Sequence, residues 1–171
     1  MTRHLFLTGQ KGVGKSTLVR GLLAQHHGAV GGFFTLKTAQ AIPGRVSVHL
    51  LSAARRQLPC PENLLFFCGG PAGSGVAQRF DRLGCAALAE GASADLLVMD
   101  ELGPHEGEAA RFCRAVFQAL DGPVPIVGVL QQADAPFLAR IAAHPQVRLV
   151  EVTAENRDLL AQTLCLPTGP L

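Results

Sequence analysis

The chain contains no tryptophan and no tyrosine; its aromatic residues are nine phenylalanines. Single-stranded nucleic acids are held by stacking bases on aromatic rings, and here such platforms would have to use phenylalanines that the apolar pattern commits to a core. Charge of one sign is equally scarce. The formal net charge is +2, and no Lys/Arg run exceeds the pair Arg55-Arg56. A broad basic surface for nucleic acid is therefore not expected. No stretch approaches the ~18 apolar residues of a membrane-spanning helix. The first residues also lack the charged, apolar and small-residue blocks of a secretory leader, so neither a membrane nor a nucleic-acid partner is expected. Cys60, Cys68, Cys85, Cys113 and Cys165 are odd in number and form no C-x-x-C pair. That excludes a zinc knuckle and a disulfide framework, and predicts reduced thiols in a cytoplasmic protein, with a monomer favoured.

Glycine, by contrast, is plentiful, and three of the 19 fall in one segment. Gly9-Gln10-Lys11-Gly12-Val13-Gly14-Lys15-Ser16 satisfies G-x-x-x-x-G-K-[ST] at every position. It lies between the apolar run Leu5-Phe6-Leu7 and the helical pattern that begins at Thr17. Glycines let the backbone curl so that successive amides point inward, and the following helix adds the positive end of its dipole. Residues Gly9, Gln10, Lys11, Gly12, Val13, Gly14, Lys15, Ser16 and Thr17 are thus expected to cradle a nucleoside triphosphate such as ATP or GTP. Lys15 reaches the β- and γ-phosphates as a catalytic cation, and the Ser16 hydroxyl is placed to ligate Mg²⁺.

Apolar runs alternate with helical patterns along the rest of the chain. Strands are expected at 5–7, 30–35, 46–51, 96–99, 126–130 and 147–152, and helices at 16–24, 75–90, 106–120, 136–143 and 156–164. The turn residues Ile42-Pro43-Gly44-Arg45 predict an antiparallel hairpin between the second and third strands. Residues 52–74 are the least legible, broken by Pro59, Pro61, Gly69, Gly70 and Pro71. Alternation of this kind predicts a three-layer α/β fold: a mostly parallel sheet covered on both faces, with a peripheral β-hairpin. A single domain is expected over residues 1–166, with a flexible tail at 167–171.

A triphosphate site also needs a carboxylate at the end of a neighbouring strand to hold the metal shell. Asp100 follows Leu96-Leu97-Val98-Met99 and takes that role beside Ser16. Glu101, directly after it, is placed to orient and deprotonate a water aimed at the γ-phosphate. Such a pair is typical of RecA-like P-loop folds, in which an extra strand separates the loop strand from the acid strand; 126–130 is the expected insert. Glu106 is either a first-turn helix acid or a polar contact to the water or metal. His105 reads as a solvated loop residue. Asn156 and Arg157 open the last helix either as cap and surface residue or as contacts to the base. Thr35 is either a strand residue without a role in the site or a further hydroxyl in the metal or phosphate shell. Arg56, Arg79, Arg82, Arg111 and Arg114 are the open choices for a cation on the γ-phosphate.

Several of these segments occur together and in order: Phe6-Leu7-Thr8-Gly9 with the loop, Gly31-Gly32-Phe33-Phe34-Thr35, Asp100-Glu101-Leu102-Gly103 with Glu106, Pro125–Val129, and Thr153-x-Glu155-Asn156-Arg157-Asp158. The set resembles the small P-loop nucleoside-triphosphatase family of the cancer-related nucleoside-triphosphatase type, over nearly the whole chain. The resemblance implies a RecA-like core and Mg²⁺-dependent hydrolysis of nucleoside triphosphates to diphosphate and phosphate. It also implies nucleotide contacts from the loop and from Asp100–Glu106. Lys37 stands where relatives usually carry Glu, and Ala39 where an Arg is expected, so the hairpin's role in relatives does not carry over; the glycine pair Gly31-Gly32 marks a divergent, bacterial-like branch. Two other functions fit a phosphate loop: a small-molecule or nucleotide kinase with 52–95 as acceptor pocket and lid, and a non-catalytic nucleotide switch.

Overall fold

The computed structural model describes residues 2–69 and 75–167; the end of the least legible stretch (70–74) and most of the expected tail (168–171) lie outside the described residues. Seven strands form one sheet: β1 (His4–Thr8), β2 (Val30–Thr38), β3 (Ser47–Ser52), β4 (Leu64–Phe67), β5 (Leu96–Leu102), β6 (Ile126–Leu130) and β7 (Val147–Glu151), in the order β4-β3-β2-β5-β6-β1-β7. The β2-β5-β6-β1-β7 portion is parallel, whereas β3 runs antiparallel to both β2 and β4. As expected, β6 separates the loop strand β1 from the acid strand β5. All five of its residues are buried, as an uninterrupted apolar run in the middle of a doubly covered sheet requires.

The period-2 alternation of the strands sorts side chains into two cores. Leu5, Leu7, Val98, Val127 and Val129 pack with α1 (Lys15–Leu23), and Leu160 and Leu164 from in and just beyond α5 (Arg157–Thr163) join them. Phe6, Phe33, Met99, Ile126 and Leu130 face the other way. They pack on α2 (Val76–Glu90), α3 (Ala110–Asp121) and α4 (Pro136–Ala142). A Cβ at Gly84 would collide with the Phe112 ring, so this glycine sets how closely α2 and α3 approach. No helix among the described residues is long and apolar enough to cross a membrane.

Three expectations need correction. The helix expected over 106–120 is two elements: a 3-10 turn at Pro104–Glu108, and α3 from Ala110. Ala109 has no capping side chain, and the N-terminus of α3 is instead satisfied from α2, where Asp81 Oδ1 accepts the Phe112 N–H at 2.8 Å. Asp100 and Glu101 lie inside β5, which runs on to Leu102, and not beyond its end. The peripheral hairpin also gains a third strand, β4, from the stretch that was illegible. A buried polar chain holds the β3–β4 connection in place. Asn63 Oδ1 accepts from the Cys60 N–H at 2.9 Å and lies 2.8 Å from His49 Nδ1. His49 therefore carries its proton on Nδ1, and its Nε2 accepts from the Ser47 hydroxyl at 2.8 Å.

Candidate active site

The loop after β1 turns as its glycines require. Gly9 has φ 135, and a Cβ there would strike the Val152 carbonyl; Gly14, at φ 109, starts α1 from the left-handed region. Lys15 is only 9% exposed, and its ammonium donates to the carbonyls of Gly9 (2.7 Å) and Gln10 (2.8 Å), tying the loop closed. Burial lowers its pKa, with the nearby Glu101 charge opposing. The Ser16 hydroxyl donates to Asp100 Oδ1 at 2.9 Å, joining two residues far apart in sequence. Asp100 is 2% exposed. Its pKa is raised by burial, lowered by the Ser16 bond, raised by Glu101 and lowered by Arg20. Thr35 does not reach this pair as a ligand: its hydroxyl donates to the Asp100 carbonyl at 3.3 Å.

Glu101 is the sole non-glycine with positive φ (69) among the described residues. It sits where the β5–β6 register shifts between Met99 and Leu102. A left-handed residue inside a strand costs of order 1–3 kcal/mol and persists where its surroundings over-determine it, often at functional sites. Here it brings Glu101 to a cavity of about 230 Å³ that is also lined by Lys11, Gly12, Gly14, Lys15, Ser16 and Thr17. Val129, near the carboxyl end of β6, closes the same cavity. Neither Val129 nor Arg20 was anticipated. Their only signal is position, one at the tip of the inserted strand and the other four residues after Ser16 on α1.

Glu106 is not brought to that cavity. It is 4% exposed within the 3-10 turn, and its carboxyl is pushed up to about 7 by burial, against hydrogen bonds from the Gly103 and Glu106 backbone. The Glu101 charge adds to the rise. His105 is exposed, its ring 5.4 Å from that of Phe66. Asn156 uses its side chain on its own turn: Oδ1 accepts from the Thr153 N–H at 2.8 Å, and Nδ2 donates to the Glu151 carbonyl at 2.9 Å. Arg157 is exposed, 3.5 Å from Asp158. The expected arginines are elsewhere. Arg79 and Arg82 donate to the carbonyls of Leu65 and Glu62. Arg55 pairs with Glu90 at the C-terminal end of α2, with Arg56 next in chain, at the end of the sheet away from the loop. Arg111 and Arg114 line a separate cavity between α2 and α3.

Comparison with known proteins agrees with the fold. The NTPase family model matches residues 4–165. Nucleoside-triphosphatase THEP1 of Thermofilum pendens is 30% identical over 174 residues, covering 95% of this chain and 93% of that protein. The cancer-related nucleoside-triphosphatase of Homo sapiens is 29% identical over 178 residues, covering 94% and 93%. The crystal structure of THEP1 from the hyperthermophile Aquifex aeolicus shares the fold, with a TM-score of 0.71 at 23% identity over 93% of this chain and 95% of that one. The phosphate loop closed by Lys15, the Ser16–Asp100 link and the family match over nearly all of the chain lead to one conclusion: the chain belongs to the NTPase family.

Proposed function

We propose that this protein is a Mg²⁺-dependent nucleoside-triphosphate phosphatase, one domain over residues 1–166, that converts ATP or GTP to the diphosphate and phosphate. The observation that carries the reading is that Glu101, a carboxylate in a strained conformation, faces the same cavity as Lys15 and Ser16. The activity is supported by relatives that are themselves called nucleoside-triphosphatases. Five free cysteines fit a reducing, cytoplasmic setting.

The metal fits the residues present. Ser16 Oγ and the buried Asp100 Oδ1, 2.9 Å apart, are hard oxygens with a carboxylate charge that burial leaves costly. Among the described residues no group of three His, Cys, Asp or Glu could hold a metal by itself. That suits Mg²⁺, which is usually bound through one or two protein oxygens together with substrate phosphates. When bound it neutralises charge on the β- and γ-phosphates. Ser16 and Asp100 would hold it. The inward amides of 9–17 bind the polyphosphate, and Lys15 exchanges its loop carbonyls for phosphate oxygens. Glu101 orients a water whose oxygen attacks the γ-phosphorus. The bond to the β,γ-bridging oxygen breaks with its electron pair left on the diphosphate, and the water's proton passes to Glu101.

Transferring phosphoryl groups benefits from a further cation. Lysine and arginine number 15, and the residues outside the described ones include none of them. Only Lys11 and Lys15 line the phosphate cavity. Lys11 is exposed, so its ammonium is free to follow the γ-phosphate. A flexible lysine is a weaker electrostatic clamp than a forked arginine, and turnover is expected near 10⁻³ to 10⁻² s⁻¹, roughly the range of P-loop GTPases without and with an arginine in cis. A kinase would need lid arginines at the site, and Arg55, Arg56, Arg79 and Arg82 are placed elsewhere.

The test is phosphate release from ATP, GTP, CTP and UTP with and without Mg²⁺. Glu101→Gln is expected to lower kcat by roughly 10²–10⁴-fold while nucleotide still binds. No release from any triphosphate would reject the hydrolase reading. Tight binding without release would favour the switch.

A further inference from the structure

We propose that the cavity between α2 and α3 is a binding site for a small amphiphilic anion, an organic acid with an aliphatic body and a carboxylate head. Its volume is about 580 Å³, against about 230 Å³ at the phosphate loop. That lies within the roughly 300–1,000 Å³ of small-molecule pockets. Leu88 from α2, Leu97 from β5, Ala115 from α3 and Val124 before β6 give it an apolar interior. No aromatic ring and no carboxylate lines it, so it offers no ring to stack a nucleobase and no carboxylate to hold a cation.

The charge at the cavity has one sign. Arg111 and Arg114, three residues apart on α3, both line it, and residues at that spacing share a helix face. The ion pairs among the described residues involve Arg55, His144 and Arg157, not these two. The two acids of α2 have other partners: Asp81 Oδ1 accepts the Phe112 N–H at 2.8 Å, and Glu90 pairs with Arg55 at 2.9 Å. Two unpaired guanidiniums beside an aliphatic trough match a carboxylate with an alkyl tail, because Arg forks pair with carboxylates while the trough removes apolar surface from water. The site is separate from the nucleotide's. It runs along α3 from Arg111 to Ala119 down to Leu97 near the start of β5, and shares no lining residue with the phosphate-loop cavity.

Calorimetric titration of the whole protein with octanoate tests this, with octanol and octylamine as controls. Saturable 1:1 binding of octanoate is expected, unchanged by saturating nucleotide, with both controls weaker by about tenfold or more. Arg111→Ala combined with Arg114→Ala is expected to weaken octanoate by about tenfold or more. Ala115→Phe, which keeps the charge but fills the trough, is expected to abolish binding. Thermal melts of both variants separate loss of the site from loss of the fold. Octylamine binding as tightly as octanoate, variants that bind like wild type, or no saturable binding would each overturn the proposal. A concentration-dependent dimer broken by Ala115→Phe would place a second copy in the trough and overturn it equally.

Discussion

Two acids at and just after the end of β5 sit in opposite circumstances. Glu101 faces the phosphate cavity at the cost of a left-handed backbone, whereas Glu106 is sealed beneath its 3-10 turn and pushed up to about 7 from 4.5. The folded state holds the Glu106 proton more tightly than the unfolded chain does. Stability from this group is therefore complete below pH about 4.5 and is lost as pH rises through about 7. The loss is roughly 3 kcal/mol. Glu106→Gln removes the charged form, and urea denaturation across pH 4–8 is expected to show a flatter profile and a variant more stable than wild type above pH about 7. Lys11 is exposed and lines the phosphate-loop cavity. Lys11→Met is expected to lower kcat roughly tenfold to a hundredfold while the affinity for a non-hydrolysable triphosphate changes little, and Lys11→Arg to restore most of the rate. An equal loss in binding would reassign Lys11 to ground-state grip. At this level the sequence was legible wherever chemistry and spacing coincide, as in the loop and at Asp100. It was silent on Glu101's conformation, which no propensity favours, and on Glu106's burial.

Among the elements, α3 shows how a helix start can be misread. Its apolar residues Phe112, Val116 and Leu120 are all fully buried, so periodicity located the helix and its face. The start was misplaced because Glu106 looks like a first-turn acid, while Pro104 actually opens a separate turn. The true cap comes from Asp81, 31 residues earlier. Asp81→Ala is expected to cost about 1–2 kcal/mol, measured by thermal or chemical unfolding, with nucleotide hydrolysis retained. β4 escaped notice for a related reason. Leu64–Phe67 is four apolar residues without alternation, bracketed by prolines and glycines. Its pairing with β3 is reinforced by the buried His49–Asn63 contact across the connection, a bond between segments that no local signal joins.

For the molecule as a whole, ligand binding is a stability term. Nucleotide that binds only the folded state adds about 2.7 kcal/mol at 100 times Kd, which for a chain of this size raises Tm by roughly 5–10 °C. Scanning fluorimetry with Mg²⁺ and ATP is expected to show that rise, smaller after chelation of the metal and lost in Lys15→Ala. A Lys15→Ala protein that still gained the full shift would show that triphosphate binds elsewhere.

The order of residues was enough to announce a phosphate loop, an acid that meets Ser16, a layered parallel sheet and an inserted strand, because each rests on short-range spacing or on period. Which side chains share a cavity was decided only when residues 84 apart in sequence, Ser16 on α1 and Asp100 on β5, came together. Packing alone then kept the five candidate arginines out of the phosphate-loop cavity and left Lys11 lining it. Hydrogen bonds to distant carbonyls and helix-face geometry are properties of neighbours in space, and no spacing along the chain encodes them.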